Sequence, residues 1–380
     1  MLFSFLFRFF LSVPAGFAIL VIDPAAPPTL CERRTAMNDR EILSRALPLI
    51  RDWYARNRRA LPWRDAPSAY HVWISEIMLQ QTRIETVIPY YERFLAAAPD
   101  LPALAAMEED RLLKLWEGLG YYSRARNLQK AARLVMERYG GELPASAEEL
   151  RTLPGIGDYT AGAVASIAFS LPEPAVDGNV LRVLTRLLAC GDDIASSSVR
   201  RAFTALLRGL YPSGEDAGLL TQGLMELGET VCLPGGEIRC ALCPVRSLCR
   251  AAAAGTMAEF PVKTPPRDRR IEERTILLLR CGEKIAIRQR EGKGLLAGLW
   301  EFPSLDGAVS AEDLRTLFPD ARAIVPCGET KHLFSHVEWH MTGYTLDLPR
   351  ELPDFVWATP EEIRTVYSIP SAFRFYLRQI

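Results

Sequence analysis

Four of the chain's eight cysteines lie between residues 232 and 249, and this group constrains the fold more than any other sequence feature. Cys232, Cys240, Cys243 and Cys249 are separated by seven, two and five residues. Such a density is typical of a metal or cluster site in a reducing compartment, not of a disulfide framework. Four thiolates can hold a tetrahedral zinc ion or a 4Fe–4S cluster. Because the segment has one Cys-x-x-Cys pair and no histidine, the spacing favours the cluster and leaves zinc as the alternative.

The cysteines end a region with helical periodicity. From Asp39 to Ala253, apolar residues recur at three- and four-residue spacing, and glycine or proline breaks divide the segments. The pattern predicts one all-α domain of about eight to ten short helices. Residues 260–269, FPVKTPPRDR, are proline-rich and basic, which predicts an extended linker.

After the linker the periodicity shifts toward two, which is typical of strands. The chain is therefore expected to be multidomain, with a separate α+β domain after the all-α domain. We place the helical domain at residues 37–260, the linker at 261–272 and the α+β domain at 273–380. The predicted strands are Thr275–Cys281, Lys284–Arg290, Leu299–Phe302 and His332–His340, and the predicted helices are Ala311–Leu317 and Pro360–Val366.

Residues 1–36 form an apolar N-terminal extension. Met1 to Ile22 is almost wholly apolar, with Arg8 as its only charged residue, and read literally it is a signal peptide or a membrane anchor. We interpret it as an upstream start codon assigned in error, with Met37 as the start, because a cytosolic cluster protein has no use for an export signal. No other segment is apolar enough to span a bilayer, so we expect a cytoplasmic protein without a membrane partner.

The composition excludes a disordered chain, because 49% of the residues are apolar. The net charge is −1, so nucleic-acid binding would depend on local sites. Gly118–Asn127 combines two aromatic residues, two arginines and two glycines, which suits either a stacked base or a core tyrosine pair. Gly155 and Gly157 lie beside a helix start, where free N–H groups can hold a DNA phosphate or the glycines can simply turn the chain.

Two acidic residues far apart in sequence are candidates for acid–base chemistry. Glu76 is the only acidic residue between Asp65 and Ile84 and lies in an apolar segment, so burial is expected to raise its pKa. Asp177 precedes the predicted helix Val180–Leu188, and its simpler interpretation is an N-cap. A protonated acid paired with an ionised carboxylate is nonetheless the combination that cleaves a glycosidic bond.

Together and in this order, these segments resemble the adenine-glycosylase branch, the MutY family, of the helix-hairpin-helix DNA glycosylases. The resemblance is nearly continuous from about residue 39 to residue 250. It implies two helical subdomains with the active site in the cleft between them, and a target adenine that is flipped out of the duplex. The residues that carry it are Leu61–Arg64, Ser75–Thr82, Gly118–Tyr122, Asp177–Asn179 and the four cysteines.

The resemblance implies a role for each site residue. Glu76 matches the acid that protonates adenine and later handles the water, and Asp177 matches the carboxylate that stabilises the cationic sugar. Asn179 and Tyr159 match residues that support that pair. The four cysteines match the ligands of a 4Fe–4S cluster that holds a DNA-binding loop.

Other positions match residues that bind the DNA. Arg64 matches a residue of the adenine pocket, and Gln81 and Tyr121 match side chains that wedge into the duplex. Gly155 and Gly157 match the phosphate clamp.

The C-terminal domain resembles the NUDIX-like lesion-recognition domain of the same family. Phe334, Ser335 and His336 stand where that family has its 8-oxoguanine-sensing triplet, and Trp300–Pro303 is a second similarity. Without the family context, His336 would be interpreted as a hydrogen-bonded strand histidine. The clustered glutamates of a NUDIX hydrolase are missing from the sequence, so nucleotide pyrophosphatase activity is not expected.

Two departures from the family pattern matter. The first cysteine gap is seven residues where the family usually has six, and Gly235 with Gly236 would absorb the insertion. Residue 159 is a tyrosine where endonuclease III relatives carry a lysine, so Schiff-base strand cleavage is not expected.

The resemblance therefore implies a monofunctional glycosylase that removes adenine mispaired with 8-oxoguanine or guanine. It would act on double-stranded DNA as a monomer, in a bacterial cytoplasm and bound to the nucleoid. One alternative is an endonuclease III-like glycosylase and lyase for oxidised pyrimidines. The other is a non-enzymatic DNA-binding iron–sulfur protein, which would explain the cysteines but not Glu76 or the Phe334–His336 segment.

Overall fold

The computed structural model describes residues 37–65, 67–235, 237–265 and 268–380. The predicted apolar extension, residues 1–36, lies outside the described residues. Within those ranges, no helix combines the length and the apolar character that crossing a lipid bilayer requires.

The first part of the described chain is all-α, as predicted. It holds twelve α-helices instead of eight to ten, because the glycine and proline breaks also separate short helices of five to eight residues. The helices are α1 Asp39–Asn57, α2 Ala69–Leu79, α3 Ile84–Ala97, α4 Leu101–Ala106, α5 Glu109–Trp116, α6 Ser123–Tyr139, α7 Ala147–Arg151, α8 Asp158–Phe169, α9 Gly178–Leu188, α10 Ser197–Arg208, α11 Glu215–Thr230 and α12 Arg250–Ala254.

The helical part is built around two separate apolar cores. One lies among α2, α3, α5, α6 and α8, with Trp73 and Trp116 fully buried in it. The other lies among α1, α9, α10 and α11, around residues such as Ile50 and Phe203. Because each core closes by apolar burial within itself, a cleft remains between the two, and α2 and α9 face it from opposite sides.

The C-terminal part is α+β, as predicted. Three of the four predicted strands and both predicted helices are present; two strands replace the fourth, and the structure adds two short strands and a short C-terminal helix. The strands are β1 Arg270–Cys281, β2 Lys284–Gln289, β3 Trp300–Glu301, β4 Ser304–Asp306, β5 Ala323–Leu333, β6 Val337–Asp347 and β7 Val356–Ala358. The helices are α13 Ala311–Leu317, α14 Pro360–Thr365 and α15 Arg374–Leu377.

These strands form one seven-stranded sheet in the order β3-β2-β1-β6-β5, with β4 paired to β1 and β7 paired to β2. β1 and β6 are parallel from Arg270 opposite Val337 to Arg280 opposite Asp347, and the other pairs are antiparallel. Apolar cores cover both faces of the sheet. β1 begins at Arg270, inside the predicted linker, because β6 pairs with it from that residue onward.

The predicted strand His332–His340 is wrong. β5 ends at Leu333, β6 begins at Val337, and Phe334–His336 forms the turn between them. The Phe334 N–H donates to the Val337 carbonyl oxygen at 2.8 Å, which closes the turn. Ser335 and His336 are therefore exposed at the tip of a hairpin and not fixed in a strand.

The two domains are in direct contact. Leu299 from the C-terminal domain is fully buried in the apolar core of α2, α3, α5, α6 and α8. The Lys114 ammonium of α5 donates to the Tyr367 carbonyl oxygen at 2.8 Å. This contact brings the β5–β6 turn beside the helical domain.

Candidate active site

A cavity of about 100 Å³ opens in the cleft between the two helical cores. Glu76 of α2 and Tyr159 of α8 come from one core, and Asp177 at the start of α9 comes from the other. The predicted catalytic residues, separated by up to 103 positions between Glu76 and Asn179, are thus brought together. The lining comprises Leu61, Trp63, Arg64, Val72, Ser75, Glu76, Leu79, Ile84, Tyr159, Ile167, Asp177, Asn179, Gln222, Met225, Glu226 and Glu229.

Glu76 lies on a helix that is almost entirely buried. α2 is capped by Ser68, whose hydroxyl accepts from the His71 N–H, and eight of its 11 residues are buried. Glu76 itself is 6% exposed. Burial, assisted by the nearby negative charge of Asp177, raises its pKa to about 7. A fraction of Glu76 is therefore protonated at neutral pH, as an acid catalyst requires.

Tyr159 holds the Glu76 carboxyl group. The Tyr159 hydroxyl donates to Glu76 Oε2 at 2.5 Å, from the first turn of α8. Burial raises the pKa of Tyr159 well above its ordinary value, so the phenol stays protonated and keeps a hydrogen to donate to the ionised Glu76. One carboxyl oxygen of Glu76 is thereby fixed in position.

Asp177 is the N-cap of α9 and also lines the cavity, so its position is compatible with both interpretations. Its Oδ1 accepts the Val180 N–H at 2.7 Å at the start of α9, and its Oδ2 accepts the Asn179 side-chain N–H at 2.9 Å. Burial raises the pKa of Asp177, and these two hydrogen bonds and the Arg182 charge oppose that rise. The carboxylate is thus stabilised by fixed donors while it lies beside the cavity.

One wall of the cavity was missed by the sequence analysis. Gln222, Met225, Glu226 and Glu229 lie on one face of α11. Their spacing of three, one and three residues is a helical stripe, so the signal was present in the sequence. The polar members of this stripe interrupt an apolar helix, which is what marks a helix face that lines a site.

Glu226 on that stripe anchors Arg64. Glu226 Oε2 accepts from Arg64 Nη2 at 2.9 Å, and Oε1 accepts from Arg59 Nε at 2.6 Å. Burial raises the pKa of Glu226, but the two arginines outweigh it and hold the pKa below its usual range. Arg64 therefore lines the cavity with its guanidinium already paired to a carboxylate.

The four cysteine side chains line one small cavity of about 30 Å³ at the end of α11, together with Arg186 and Met257. Burial raises the pKa of Cys243 to about 12, and burial also raises the pKa of Cys249. A bound metal would favour the thiolate forms of Cys243 and Cys249 against this effect of burial. Gly235, in the longer first gap, has a left-handed φ of 58°, and Gly236 is not among the described residues.

Four cysteine sulfurs around one small cavity are a donor set that suits a 4Fe–4S cluster or a single zinc ion. A zinc ion needs four sulfurs about 2.3 Å from one point, whereas a 4Fe–4S cluster has a cysteine on each of several irons. The Arg186 guanidinium donates to Cys232 Sγ at 3.3 Å, which suits a sulfur that carries negative charge.

The cysteine loop and the cavity are joined by hydrogen bonds through Arg182, which is buried in α9. Arg182 Nε donates to the Cys232 carbonyl oxygen at 2.8 Å, and Nη2 donates to Asn179 Oδ1 at 2.9 Å. The Asn179 amide in turn donates to Asp177. The position of the Asp177 carboxylate therefore depends on the position of the cysteine loop.

Gln81 and Tyr121, the predicted wedge residues, lie at the tips of two loops. Both have left-handed backbones, with φ of 59° and 48°, which is uncommon for residues other than glycine and common at functional sites. Both are exposed, Tyr121 to 47%. Neither residue lines the cavity that contains Glu76 and Asp177.

Gly155 and Gly157 lie in the hairpin between α7 and α8. The turn is closed by the Ile156 N–H, which donates to the Leu153 carbonyl oxygen at 3.2 Å. Gly155 has a φ of 78°, and a Cβ there would lie 2.8 Å from Asn127 Cβ, so the close approach of α6 requires glycine. Both glycines are exposed, as a phosphate contact would require.

A larger cavity of about 490 Å³ lies between the two domains. Tyr121 and Arg126 line it from the helical side, and Phe334, Ser335 and His336 line it from the β5–β6 turn. The Phe334 ring packs edge-on against His332 and Trp339, which holds the turn. The predicted triplet thus lies against a predicted wedge residue and not in the catalytic cavity.

Two family descriptions match the chain. The family "HhH-GPD superfamily base excision DNA repair protein" matches residues 74–208, which include Glu76, Tyr159 and Asp177. The NUDIX domain family matches residues 275–379. The all-α domain with its acidic cleft therefore defines a helix-hairpin-helix base excision DNA repair protein, followed by a NUDIX-like domain.

Relatives that match most of the chain narrow the assignment. The adenine DNA glycosylase of Homo sapiens is 36% identical to the chain over 86% of this chain and 73% of the human protein. That of Mus musculus is 38% identical over 82% and 73%, and that of Schizosaccharomyces pombe is 30% identical over 83% and 85%. The chain belongs to the adenine DNA glycosylase family.

Proposed function

We propose that this protein hydrolyses the N-glycosidic bond of adenine paired with 8-oxoguanine or guanine in duplex DNA, without cutting the strand. The names of the relatives support adenine as the base. The observation that carries the proposal is a protonatable, buried Glu76 in the same cavity as Asp177.

The reaction divides between these two carboxyl groups. Glu76 donates its proton to N7 of the flipped adenine, and the C1′–N9 bond breaks with its electron pair leaving on the base. Asp177, as a carboxylate, stabilises the cationic sugar that remains. Water then adds to C1′ and loses a proton to Glu76, which restores the starting state of both acids.

The cavity argues against a lyase. A glycosylase that also cuts the strand uses an amine to form a Schiff base with the sugar. The described residues that line the cavity include no lysine, and Tyr159 offers a hydroxyl already committed to Glu76. The product expected from this site is an abasic site in an intact strand.

Cys232, Cys240, Cys243 and Cys249 would hold a 4Fe–4S cluster, and the proposed role of that cluster is structural. When bound, it supplies four metal–thiolate bonds that fix the loop. Through Arg182, that loop would hold Asn179 and hence the Asp177 carboxylate. The β5–β6 turn, with Ser335 and His336 exposed in the interdomain cavity, would read the 8-oxoguanine base.

The substitution Glu76→Gln tests the proposal. We expect it to lower adenine release from a duplex with an A:8-oxoguanine pair by at least about 100-fold, because the general acid is lost. Binding of the same duplex should stay within a few-fold, since the amide keeps the shape of the side chain. Release is measured in single turnovers, with alkali added afterwards to reveal abasic sites.

Glu137→Gln, an exposed glutamate in the last part of α6, is the matched control and should behave as wild type. Equal release by Glu76→Gln and wild type would remove Glu76 from the chemistry. Strand breakage without alkali would show a lyase instead.

A further inference from the structure

A second interdomain cavity, of about 550 Å³, adjoins the one that holds the β5–β6 turn, and Pro370 and Ser371 line both. We call it the seam cavity. Neither the catalytic residues nor the predicted DNA-binding residues line it. Its charged lining residues are Arg93, Arg111, Lys114 and Glu117 from the helical domain and Arg364 and Arg374 from the C-terminal domain.

Glu117, the one acidic residue of this lining, already has partners for its carboxylate. The Lys114 ammonium lies 2.5 Å from Glu117 Oε2, and the Ile369 N–H also donates to that carboxylate. Lys114 further donates to the Tyr367 carbonyl oxygen across the seam. Lys114 is therefore the direct partner of Glu117, the Arg374 charge also acts on that carboxylate, and these contacts join the two domains.

Three guanidinium groups remain without a carboxylate partner. Among the described residues, no carboxylate oxygen lies within 4.0 Å of a side-chain nitrogen of Arg93, Arg111 or Arg374. Arg93 lies over the Tyr90 ring at 4.5 Å, which holds its guanidinium in place. Arg364 differs from the three, because it donates to the carbonyl oxygen of Ile380 at the chain end.

Arg374 of the C-terminal domain lies close to the Gly118 backbone of the helical domain. Gly118 has a φ of 102°, and a Cβ there would lie 2.2 Å from the Tyr90 hydroxyl and 4.0 Å from Arg374 Nη2. The left-handed backbone and the Tyr90 hydroxyl therefore require glycine at residue 118. Arg374 lines one cavity with Arg93 and Arg111, and all three arginines are exposed, so an anion in solution can reach them.

We propose that the seam cavity is a binding site for phosphate oxyanions, held among Arg93, Arg111 and Arg374. Guanidinium groups present paired N–H donors that match phosphate oxygens, so three of them around one concave space favour phosphate over a monovalent halide. A bound phosphate would be attracted by guanidinium groups from both domains. An anion bound at this site would hold the C-terminal domain in position against the helical domain.

The phosphate can come from the DNA backbone or from a free polyphosphate. Only the first source rests on the proposed function. The binding test therefore uses no DNA: inorganic triphosphate is titrated calorimetrically into the full-length protein at low salt. We expect binding to wild type, and binding weaker by about tenfold or more in the double variant Arg111→Glu with Arg374→Glu.

The control is Arg138→Glu, a charge reversal at an exposed arginine in the last turn of α6, which should bind triphosphate as wild type does. The neutral pair Arg111→Gln with Arg374→Gln repeats the test without adding charge, and circular dichroism verifies that each variant is folded. Absence of triphosphate binding by wild type, or equal binding by the folded double variants, would overturn the proposal.

The salt dependence of duplex binding then identifies the source. Each lost phosphate contact lowers the slope of log K against log salt by about 0.9. If this slope is lower in the double variant but not in Arg138→Glu, the phosphate that binds in the seam cavity belongs to the DNA backbone. If the slope is unchanged in the double variant, the natural ligand is a free polyphosphate. If wild type binds triphosphate but releases no adenine, the proposed function fails while the seam site stands.

Discussion

Glu76 and Asp177 are carboxyl groups in one cavity, and burial raises the pKa of both. Their hydrogen-bond partners differ, and the difference favours an ionised Asp177 and a protonated Glu76. Asp177 accepts from the Val180 backbone N–H and from the Asn179 amide, so its charged form is supported by two fixed donors. Among the described residues, Tyr159 is the one side chain that donates to Glu76, and burial in an apolar helix raises the pKa of Glu76 to about 7.

The pH profile of adenine release follows from this difference. Release should fall as the pH rises through about 7, because Glu76 loses the proton it must donate, and it should fall at low pH as Asp177 is protonated. The Tyr159 hydrogen bond favours ionised Glu76 and so lowers its pKa. Tyr159→Phe should therefore move the alkaline limb to higher pH, as measured in single turnovers across pH 5–9.

Tyr139→Phe, at the end of α6 and outside the cavity, serves as the control and should leave the profile in place. If the alkaline limb of Tyr159→Phe stays fixed or moves to lower pH, another group titrates in that limb.

The two loops that carry Gln81 and Tyr121 at their tips, here called the wedge loops, are both hydrogen-bonded by one side chain of α6, Arg124. Arg124 Nη1 donates to the Ile77 and Gln80 carbonyl oxygens, each at 2.7 Å. Arg124 Nη2 donates to the Gly120 carbonyl oxygen at 3.1 Å, and its guanidinium lies 5.6 Å from the centre of the Tyr121 ring. Burial lowers the pKa of Arg124 to about 10, yet it stays charged at neutral pH. The residues that precede Gln81 and Tyr121 are thus held by one cation.

Arg124→Met should loosen both loops together. We expect a loss of roughly 3 kcal/mol in the free energy of unfolding, because carbonyl groups lose a charged donor. We also expect weaker binding of the mispaired duplex, with the single-turnover rate at saturation much less affected. Urea unfolding and duplex titration measure the two effects.

Arg133→Met is the comparison on the same helix, since Arg133 is exposed and donates to the Ala105 carbonyl oxygen. It should change stability and binding far less. If Arg124→Met binds the duplex as tightly as the wild-type protein, the wedge loops keep their shape without the hydrogen bonds of Arg124.

The bounds of helices and strands were predicted closely where a local sequence pattern marks their ends. They were not predicted where no such pattern is present. α13 has the predicted bounds Ala311–Leu317, because Ser310 and Asp313 form a capping box at its start. The β5–β6 turn was missed, because Phe334–His336 contains no glycine, proline, asparagine or aspartate and the strand pattern continues on both sides. Its position is set by the pairing of β5 with β6.

At the scale of the whole molecule, the NUDIX-like domain brings its β5–β6 turn to the wedge loop of the helical domain. The cavity between them holds Tyr121 opposite Ser335 and His336. The catalytic cavity lies elsewhere, in the cleft between the two helical cores. Removal of the base and recognition of the opposite base are therefore expected to respond to different substitutions.

Ser335→Ala with His336→Ala should narrow the preference for 8-oxoguanine over guanine opposite adenine. The expected change is about 1–3 kcal/mol, the usual size of lost base-edge contacts. The ratio of single-turnover release from the two duplexes measures it.

His340→Ala is the matched control, because His340 pairs with Glu338 at 2.7 Å on β6 and does not line the interdomain cavity. An unchanged ratio in the double variant would remove the β5–β6 turn from recognition.

The sequence alone predicted which functional side chains the chain carries and what local structure surrounds each of them. The cap at Asp177, the apolar surroundings of Glu76 and the cysteine spacing are local patterns, and each depends on neighbours a few residues away. Tertiary structure alone decided that Arg64 pairs with Glu226, 162 positions distant, and that Arg374 meets Gly118 across the seam. Such contacts follow from how apolar cores pack, and packing joins residues whose separation along the chain carries no periodic signal.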